Sequence, residues 1–358
     1  MALQSDIHAP ISPSDDALRL TGRRLPRWAP VGSLAVGLLV GLFVQLTQVT
    51  VLGLAPVVVV VLVFLISYTG WTLAVEGRRH AVDRFATALI YSGAILALLP
   101  LVWILITVIY KGVTVLSVNF LFVDTMRNVN PRAAGGGVAH AVLGTVQQVG
   151  IATLISVPIG LLTAIYLSEY GRGRLARSIN FFVDVMTGIP SIVAGMFIYT
   201  FWILTLGFPQ SGFAAGLALT ILMIPVVVRS AEEMLRIVPN ELREGALALG
   251  IPKYRVIIKV VLPTAISGII TGVMLAVARV TGETAPLLLT TFLAQDVNWN
   301  AFEGSQASLP TFIWDQIARG TQSSLDRAWA GALTLILIVL FFYATARILA
   351  ARYAPKEH

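Results

Sequence analysis

The sequence predicts an all-α polytopic membrane protein. Hydrophobic residues make up 57% of the 358 residues, charged residues make up only 12%, and the mean hydropathy is +0.84. A soluble domain carries roughly 25% charged residues, so this composition is typical of a chain that lies mostly in lipid. The apolar residues also fall in runs near the ~20 residues that a helix needs to cross a bilayer. We therefore expect several transmembrane helices.

Residues 1–28 are predicted to form a disordered tail. They contain prolines and aspartates, followed by a basic group that ends at Trp28. A basic run before an apolar one can mark a signal peptide. Here the apolar run is too long, and no small-residue cleavage site closes it.

Eight apolar segments follow this tail. The first two, at 31–49 and 54–75, are predicted to form a tight transmembrane hairpin within residues 29–84, with its turn around Thr50 and Gly53. The other six predicted spans cover residues 85–110, 138–167, 179–206, 213–228, 264–290 and 329–346.

The basic residues predict the orientation of these spans. Nineteen of the 25 lysines and arginines lie in the two termini and in the loops near residues 80, 174 and 240. Five lie in the alternate loops, and Arg279 lies inside a span. Because cytoplasmic loops carry the excess of basic residues, both termini are expected in the cytoplasm. The net charge of +7 follows from this topology, so nucleic acid binding is not expected.

Residues 229–263 form a long polar segment between apolar spans, which we call the polar hairpin. Pro239, Gly250 and Pro252 supply the turn chemistry that ends one helix and starts another. Charged residues are expected on its exposed faces, and apolar residues recur between them at helical spacing. The charged set is Glu232, Glu233, Arg236, Glu241, Arg243, Lys253, Arg255 and Lys259, and the apolar set is Met234, Leu235, Ile237, Leu242, Leu247 and Leu249.

The polar hairpin also carries a spaced pattern. An acidic residue and two small residues are followed by three further residues and a glycine, and nine residues then separate that glycine from an apolar run that ends in proline. The pattern resembles the EAA loop of ABC importer permeases, although the composition alone would also suit an ordinary surface loop. The matching residues are Glu244, Gly245, Ala246, Gly250, Leu262 and Pro263.

Two charged residues lie inside the predicted span 264–290. Arg279 and Glu283 are four residues apart, so we expect both to project from one helix face. A charged pair in hydrocarbon is a functional-site hypothesis, and an ion pair that staples this helix to a neighbour is the structural alternative. Gly282 and Pro286 predict that the helix loosens here and frees backbone groups to line an aqueous path.

Asp184 and Arg229 are further candidates near the ends of spans. Asp184 is expected to pair with a local cation, whereas Arg229 either reaches into a path or extends to the cytoplasmic surface. Pro190 predicts a kink in the span 179–206.

The longest outward loop, residues 291–328, predicts an ordered cap with short helices. Its aromatic residues suit an interfacial belt and a docking surface for an external protein equally well. They are Trp299, Phe302, Phe312 and Trp314.

Four sequence blocks now indicate a more specific resemblance. Residues 278–288, ARVTGETAPLL, are similar to a signature of PstA-type permeases of the phosphate-specific ABC importer. So are TAIYLSEY at 163–170, GIPSIVAG at 188–195 and VVRSAEE at 227–233. The resemblance covers roughly residues 85–350. It implies a type I ABC importer permease core of six transmembrane helices, to which residues 29–84 add two extra N-terminal transmembrane helices and residues 351–358 a cytoplasmic tail.

The resemblance also implies a function, partners and roles for residues. Such a subunit moves inorganic phosphate across the cytoplasmic membrane of a bacterium, pairs with a second homologous permease and receives phosphate from an external binding protein. Two copies of an ATPase, which bind ATP and magnesium, dock at the EAA positions. Arg229 and Arg279 are then expected on the phosphate path, with Glu283 tuning Arg279. Gly245 departs mildly from the alanine of the pattern.

Other functions remain open at this point. A sulfate or molybdate permease, a membrane scaffold or receptor, and a secondary transporter would each also be polytopic. The sequence has no phosphate-gripping G-x-x-x-x-G-K-[ST] motif, so this chain is not expected to bind the nucleotide or any cofactor itself. The absence of cysteine excludes disulfides, cysteine-ligated zinc and thiol catalysis. No catalytic or metal-ligating residue is predicted.

Overall fold

A computed structural model describes residues 24–47, 55–125, 135–291 and 293–353. These residues form fourteen α-helices, with one isolated bridge between Ser211 and Gly304 and no strand among them. Most of the predicted tail, the turn at residues 48–54 and residues 354–358 lie outside the described residues. The helices are α1 Ala29–Leu46, α2 Ala55–Glu76, α3 Arg78–Val113, α4 Val118–Phe122, α5 Ala139–Ile165, α6 Gly173–Gly188, α7 Ser191–Ile198, α8 Gly212–Ile237, α9 Asn240–Ala248, α10 Lys253–Val256, α11 Leu262–Thr281, α12 Ala285–Thr290, α13 Leu309–Arg319 and α14 Gln322–Tyr353.

The predicted membrane spans are confirmed with two corrections. Seven helices of the described chain are long and apolar enough to cross a bilayer. The predicted span 179–206 is instead a pair of helical segments, Gly173–Gly188 and Ser191–Thr205, bent by 105°. Because Pro190 cannot donate a backbone hydrogen bond, the helix ends before it and restarts after it.

A second correction concerns the predicted span 264–290. Helix α11 ends at Thr281, and α12 begins only at Ala285. Gly282 caps α11, and Pro286 lies in the first turn of α12, where its missing N–H costs nothing. The helix therefore breaks, where the sequence had predicted only that it loosens.

The chain divides into two compact units at Ile104 and Leu105, a division that falls inside α3. In the first unit, α1 packs closely on α2, because Gly37 and Gly41 leave room for the chain around Val60. Only Gly77, at φ +87°, separates α2 from α3. The basic loop predicted near residue 80 is therefore a tight turn followed at once by helix.

The second unit is organised around α8, whose residues Leu219 and Met223 are almost fully buried. Small residues allow its neighbours to approach closely. A Cβ on Gly160 of α5 would lie 2.7 Å from Val227, and one on Gly272 of α11 would lie 2.4 Å from the Ser230 Cβ. Such small-residue contacts are typical of membrane helices, in which packing replaces the hydrophobic effect.

This packing makes a testable prediction. Gly272→Ala forces α11 away from α8 and should lower the free energy of unfolding by about 1–3 kcal/mol, as overpacked cores do. Gly150→Ala is the matched control, because a Cβ at Gly150 of α5 meets nothing within 4 Å. Thermal unfolding of the purified chain should show a lower Tm for Gly272→Ala only. Equal Tm values for the two variants would contradict the packing described here.

Candidate functional site

The two helix breaks lie side by side in the second unit. Helix α7 begins after the break at Pro190, and α12 begins after the break at residues 282–284. The two short helices touch, since a Cβ on Gly195 of α7 would lie 2.5 Å from the Pro286 Cα of α12. Irregular backbone at membrane depth is tolerated where it is buried in protein or lines an aqueous cavity. This pair of breaks is therefore a place where a polar path through the membrane can form.

Arg279 lies in the last turn of α11, beside this region, and it is exposed in the isolated chain. It forms no ion pair with any carboxylate of the described residues. The expectation that Glu283 projects from the same helix face is wrong, because α11 ends at Thr281 and Glu283 lies in the break. The half-buried Glu283 is thus uncoupled from Arg279 in this conformation.

Arg229 of α8, by contrast, is held by three side chains. Its guanidinium donates to Asp184, to Glu232 at 2.9 Å and to the Asn180 amide oxygen at 3.1 Å. The prediction that Asp184 pairs with a local cation is confirmed. Glu232 also accepts from Arg236 at 2.6 Å. We call Arg229, Asp184, Glu232 and Arg236 the Arg229 charge network.

The expectation that Glu232 lies on an exposed face is wrong. Only 3% of its side chain is exposed, whereas 66% of the Asp184 side chain is exposed. A buried carboxylate needs cations around it, and Arg229 and Arg236 lie one turn away on either side, at i−3 and i+4. The network could not be read from the helical pattern, because Asp184 comes from α6.

The packing of α8 on α11 sets the spacing between the two arginines. Gly272 of α11 lies against Ser230, the residue after Arg229. Arg279 is seven residues further along α11, which is about 10 Å at 1.5 Å per residue. Arg229 and Arg279 therefore lie at two different depths of the membrane-spanning unit.

The polar hairpin has the predicted helix and turn. Helix α9 spans Asn240–Ala248, Gly250 has φ +77°, and α10 begins after Pro252. Only glycine adopts this backbone conformation without strain, so Gly250 fixes the turn. Of the EAA positions, Glu244, Gly245, Gly250 and Pro263 are exposed, while Ala246 and Leu262 are half-buried.

The surface of α9 is unusually apolar for a polar segment. Leu242, Leu247 and Leu249 are 45%, 45% and 81% exposed, and Ile237 at the end of α8 is 70% exposed. Of the other two members of the predicted apolar set, Leu235 is fully buried in the core and Met234 is half-buried. Exposed leucines at the end of a membrane domain are candidates for contact with another protein or with lipid.

Arg243 is a residue whose role the sequence analysis missed. It was expected on an exposed face, but only 15% of its side chain is exposed. It donates to Glu169 at 3.0 Å and to the backbone carbonyls of Leu235 and Val238 at 2.7 and 2.5 Å. Arg243 thereby fastens α9 to the end of α8 and to the π-helical turn Tyr166–Tyr170. No signal near Arg243 identifies Glu169, 74 residues away, as its partner.

Lys253 makes the second attachment of the polar hairpin. Its ammonium group donates to the Glu169 carbonyl and lies 4.6 Å from the centre of the Tyr170 ring. The polar hairpin is thus attached to the membrane helices from both of its short helices.

The ordered cap predicted for residues 291–328 is confirmed. Helix α13 starts at a capping box formed by Ser308 and Thr311. Gln306, 2% exposed, donates to Gln147 and to the Asn298 carbonyl. Of the predicted aromatic set, Phe312 is buried, and the exposed members are Trp299, Phe302 and Trp314.

The class of protein follows from the fold and from a family match. Residues 156–355 match the family described as "Binding-protein-dependent transport system inner membrane component". The fold also resembles the crystal structure of a bacterial alginate ABC transporter, with a TM-score of 0.54 at 14% identity, over 77% of this chain and 97% of that one. The chain is an integral inner-membrane component with the type I ABC permease fold.

Two relatives make the family more specific. The chain is 46% identical over 262 residues to the "Phosphate transport system permease protein PstA 1" of Mycobacterium tuberculosis H37Rv, covering 73% of this chain and 85% of that protein. It is 45% identical over 278 residues to the corresponding PstA of Mycobacterium leprae, covering 77% and 91%. The chain belongs to the PstA family of transport-system permeases, and such a permease is a membrane subunit without enzymatic activity of its own.

Proposed function

We propose that this chain is the permease subunit of an ATP-driven importer that carries inorganic phosphate across the cytoplasmic membrane of a bacterium. It acts with a second homologous permease, two copies of an ATPase subunit and an external phosphate-binding protein. Membership of the PstA family supports this function over a sulfate or molybdate permease, a scaffold or a secondary transporter.

The observation that carries the proposal is the exposed guanidinium of Arg279, which has no ion pair among the described residues. A charge at the centre of a membrane helix costs about 3 kcal/mol or more unless it meets water, a counter-charge or a ligand. The planar guanidinium matches the oxygens of phosphate bidentately and keeps its charge at every physiological pH. Arg279 therefore provides a favourable binding position for phosphate at the helix breaks.

Arg229 provides a second binding position for phosphate, nearer the cytoplasm. In the Arg229 charge network its charge is already neutralised by Asp184 and Glu232, so phosphate must displace a carboxylate to bind there. Such competition keeps binding weak enough for release, which transport requires. Glu283 is not paired with Arg279 in this conformation and would tune the outer binding position by pairing with Arg279 when phosphate leaves.

The polar hairpin couples the chain to its ATPase. Its exposed leucines and the turn at Gly250 form the docking surface, with Glu244, Gly245, Ala246, Leu262 and Pro263 as the coupling positions. Arg243 and Lys253 transmit movement of this surface to the membrane helices. ATP and magnesium bind to the partner ATPase, and this chain holds no cofactor.

The domain boundaries and the orientation complete the proposal. Residues 1–28 and 351–358 are cytoplasmic tails, residues 29–84 are an additional transmembrane hairpin and residues 85–350 are the permease domain. The excess of basic residues on the side of the polar hairpin supports a cytoplasmic location for both termini.

Phosphate uptake tests the role of Arg279. In cells that depend on this chain, Arg279→Gln should reduce uptake of radiolabelled phosphate by about tenfold or more, since hydrogen bonds to charged groups contribute roughly 1.5–3 kcal/mol. Arg279→Lys keeps the charge but loses the bidentate geometry, so its uptake should be intermediate. The abundance of each variant in the membrane and its assembly with the partner subunits must be equal to those of the native chain.

Three outcomes would contradict the proposal. Full uptake by Arg279→Gln would remove the arginine from the phosphate path. Failure of both variants to assemble with the partner subunits would show that Arg279 has a packing role. Uptake of radiolabelled sulfate or molybdate in preference to phosphate would show that the substrate is a different oxyanion.

The coupling role of the turn is tested separately. Gly250→Val should prevent co-purification of the ATPase subunit and abolish uptake, because a β-branched residue cannot adopt φ +77° without strain. Gly245→Ala is the matched control: a Cβ there meets nothing within 4 Å, and alanine completes the EAA pattern. Normal uptake by Gly250→Val would remove the turn from the coupling surface.

A further inference from the structure

The first unit contains a large apolar groove that the proposed phosphate path does not use. Its volume is about 780 Å³, and α1, α2 and α3 form its walls. All three helices are long and apolar enough to cross a bilayer, so the groove lies at the depth of the hydrocarbon. Its apolar lining includes Leu34, Leu38, Val60, Phe64, Ile95 and Leu99.

One end of this groove is cationic. The Arg84 side chain lines it and donates to the Tyr68 hydroxyl at 3.0 Å and to the Glu76 carboxylate at 2.8 Å. These two bonds hold the guanidinium in place, while 32% of the side chain remains exposed. Asp83 also lines this end, with its side chain exposed.

The segment before α1 is attached at the same end. The Leu25 amide donates to the Glu76 carboxylate at 2.5 Å. Trp28 packs edge-on against Trp71 of α2, with ring centroids 5.3 Å apart. The chain between these contacts therefore lies beside the last turns of α2.

The charge at this end is positive overall. Glu76 and Asp83 are its acidic side chains among the described residues, and Glu76 is already committed to Arg84 and Leu25. Five arginines lie at this end, against these two carboxylates. They are Arg24, Arg27, Arg78, Arg79 and Arg84, and all but Arg84 are exposed.

We propose that this groove binds an anionic phospholipid, with an acyl chain along the apolar walls and the phosphate headgroup at Arg84 and the neighbouring arginines. Basic pockets at the ends of transmembrane helices select anionic headgroups. From Arg84 to Leu99 the groove follows α3 for about 22 Å, which exceeds the ~15 Å depth of one leaflet. The family match at residues 156–355 does not include this unit.

Photocrosslinking tests the headgroup preference. The full chain is reconstituted in liposomes that contain trace phosphatidylglycerol or phosphatidylcholine with a diazirine on the acyl chain, and the labelled peptides are mapped. Phosphatidylglycerol should label α1, α2 and α3 in preference to phosphatidylcholine. Arg84→Gln should lower this preference about fivefold, as expected for one basic residue near the membrane surface, and Arg84→Lys should retain it.

A matched pair of variants tests the groove itself. Thr87 lines the groove, and its hydroxyl bonds only to the Asp83 carbonyl of its own helix, so Thr87→Trp fills the space without removing a tertiary contact. Ala86 is exposed and does not line the groove, so Ala86→Trp is the control. Thr87→Trp should lose the labelling and Ala86→Trp should keep it.

Three results would overturn the proposal. Equal labelling by the two lipids would leave no headgroup site. Equal labelling of Thr87→Trp and Ala86→Trp would show that lipid contacts α1, α2 and α3 outside the groove. In the assembled transporter, labelling of a second polypeptide in place of α1, α2 and α3 would show that protein, and not lipid, occupies the groove.

Discussion

A charged side chain inside a bilayer must find a counter-charge, water or a ligand, and the second unit is arranged around this requirement. Arg229 meets it within the chain, because Asp184 and Glu232 surround its guanidinium. Arg279 does not, since no described carboxylate pairs with it. The arginine that lacks an internal partner is the one beside the two helix breaks, where freed backbone groups also need polar surroundings. One aqueous path with a passing anion would satisfy both needs.

Close helix packing and the attachment of the polar hairpin fix the parts of this arrangement to one another. Gly272 brings α11 against α8, so the depths of Arg229 and Arg279 are fixed relative to one another. Arg243 and Lys253 fix the polar hairpin to the chain around Glu169 at the end of α5. The polar hairpin is therefore fixed to packed helices and is not a loose loop.

Local sequence signals predicted much of this structure, and contacts between distant segments account for what they missed. Hydropathy predicted the spans, and Gly250 and Pro252 predicted the turn of the polar hairpin, because turn chemistry depends on neighbouring residues. Helical periodicity alone placed Glu232 and Arg243 on exposed faces, whereas only 3% and 15% of their side chains are exposed. The partner of Arg243 is the distant Glu169, and Arg229, which pairs with Glu232, is itself held by Asp184 of α6. The spacing of Arg279 and Glu283 was misleading for a local reason instead, because Gly282 ends the helix between them.

Thiol labelling tests the central claim most directly, because the native chain has no cysteine. Arg279→Cys in the assembled transporter would be treated with a charged, membrane-impermeant thiol reagent, with Leu340→Cys on an exposed apolar position of α14 as the control. The thiolate reacts only where water reaches it. An aqueous path predicts rapid labelling at position 279 and little labelling at position 340. Labelling at 279 as slow as at 340 would contradict the account.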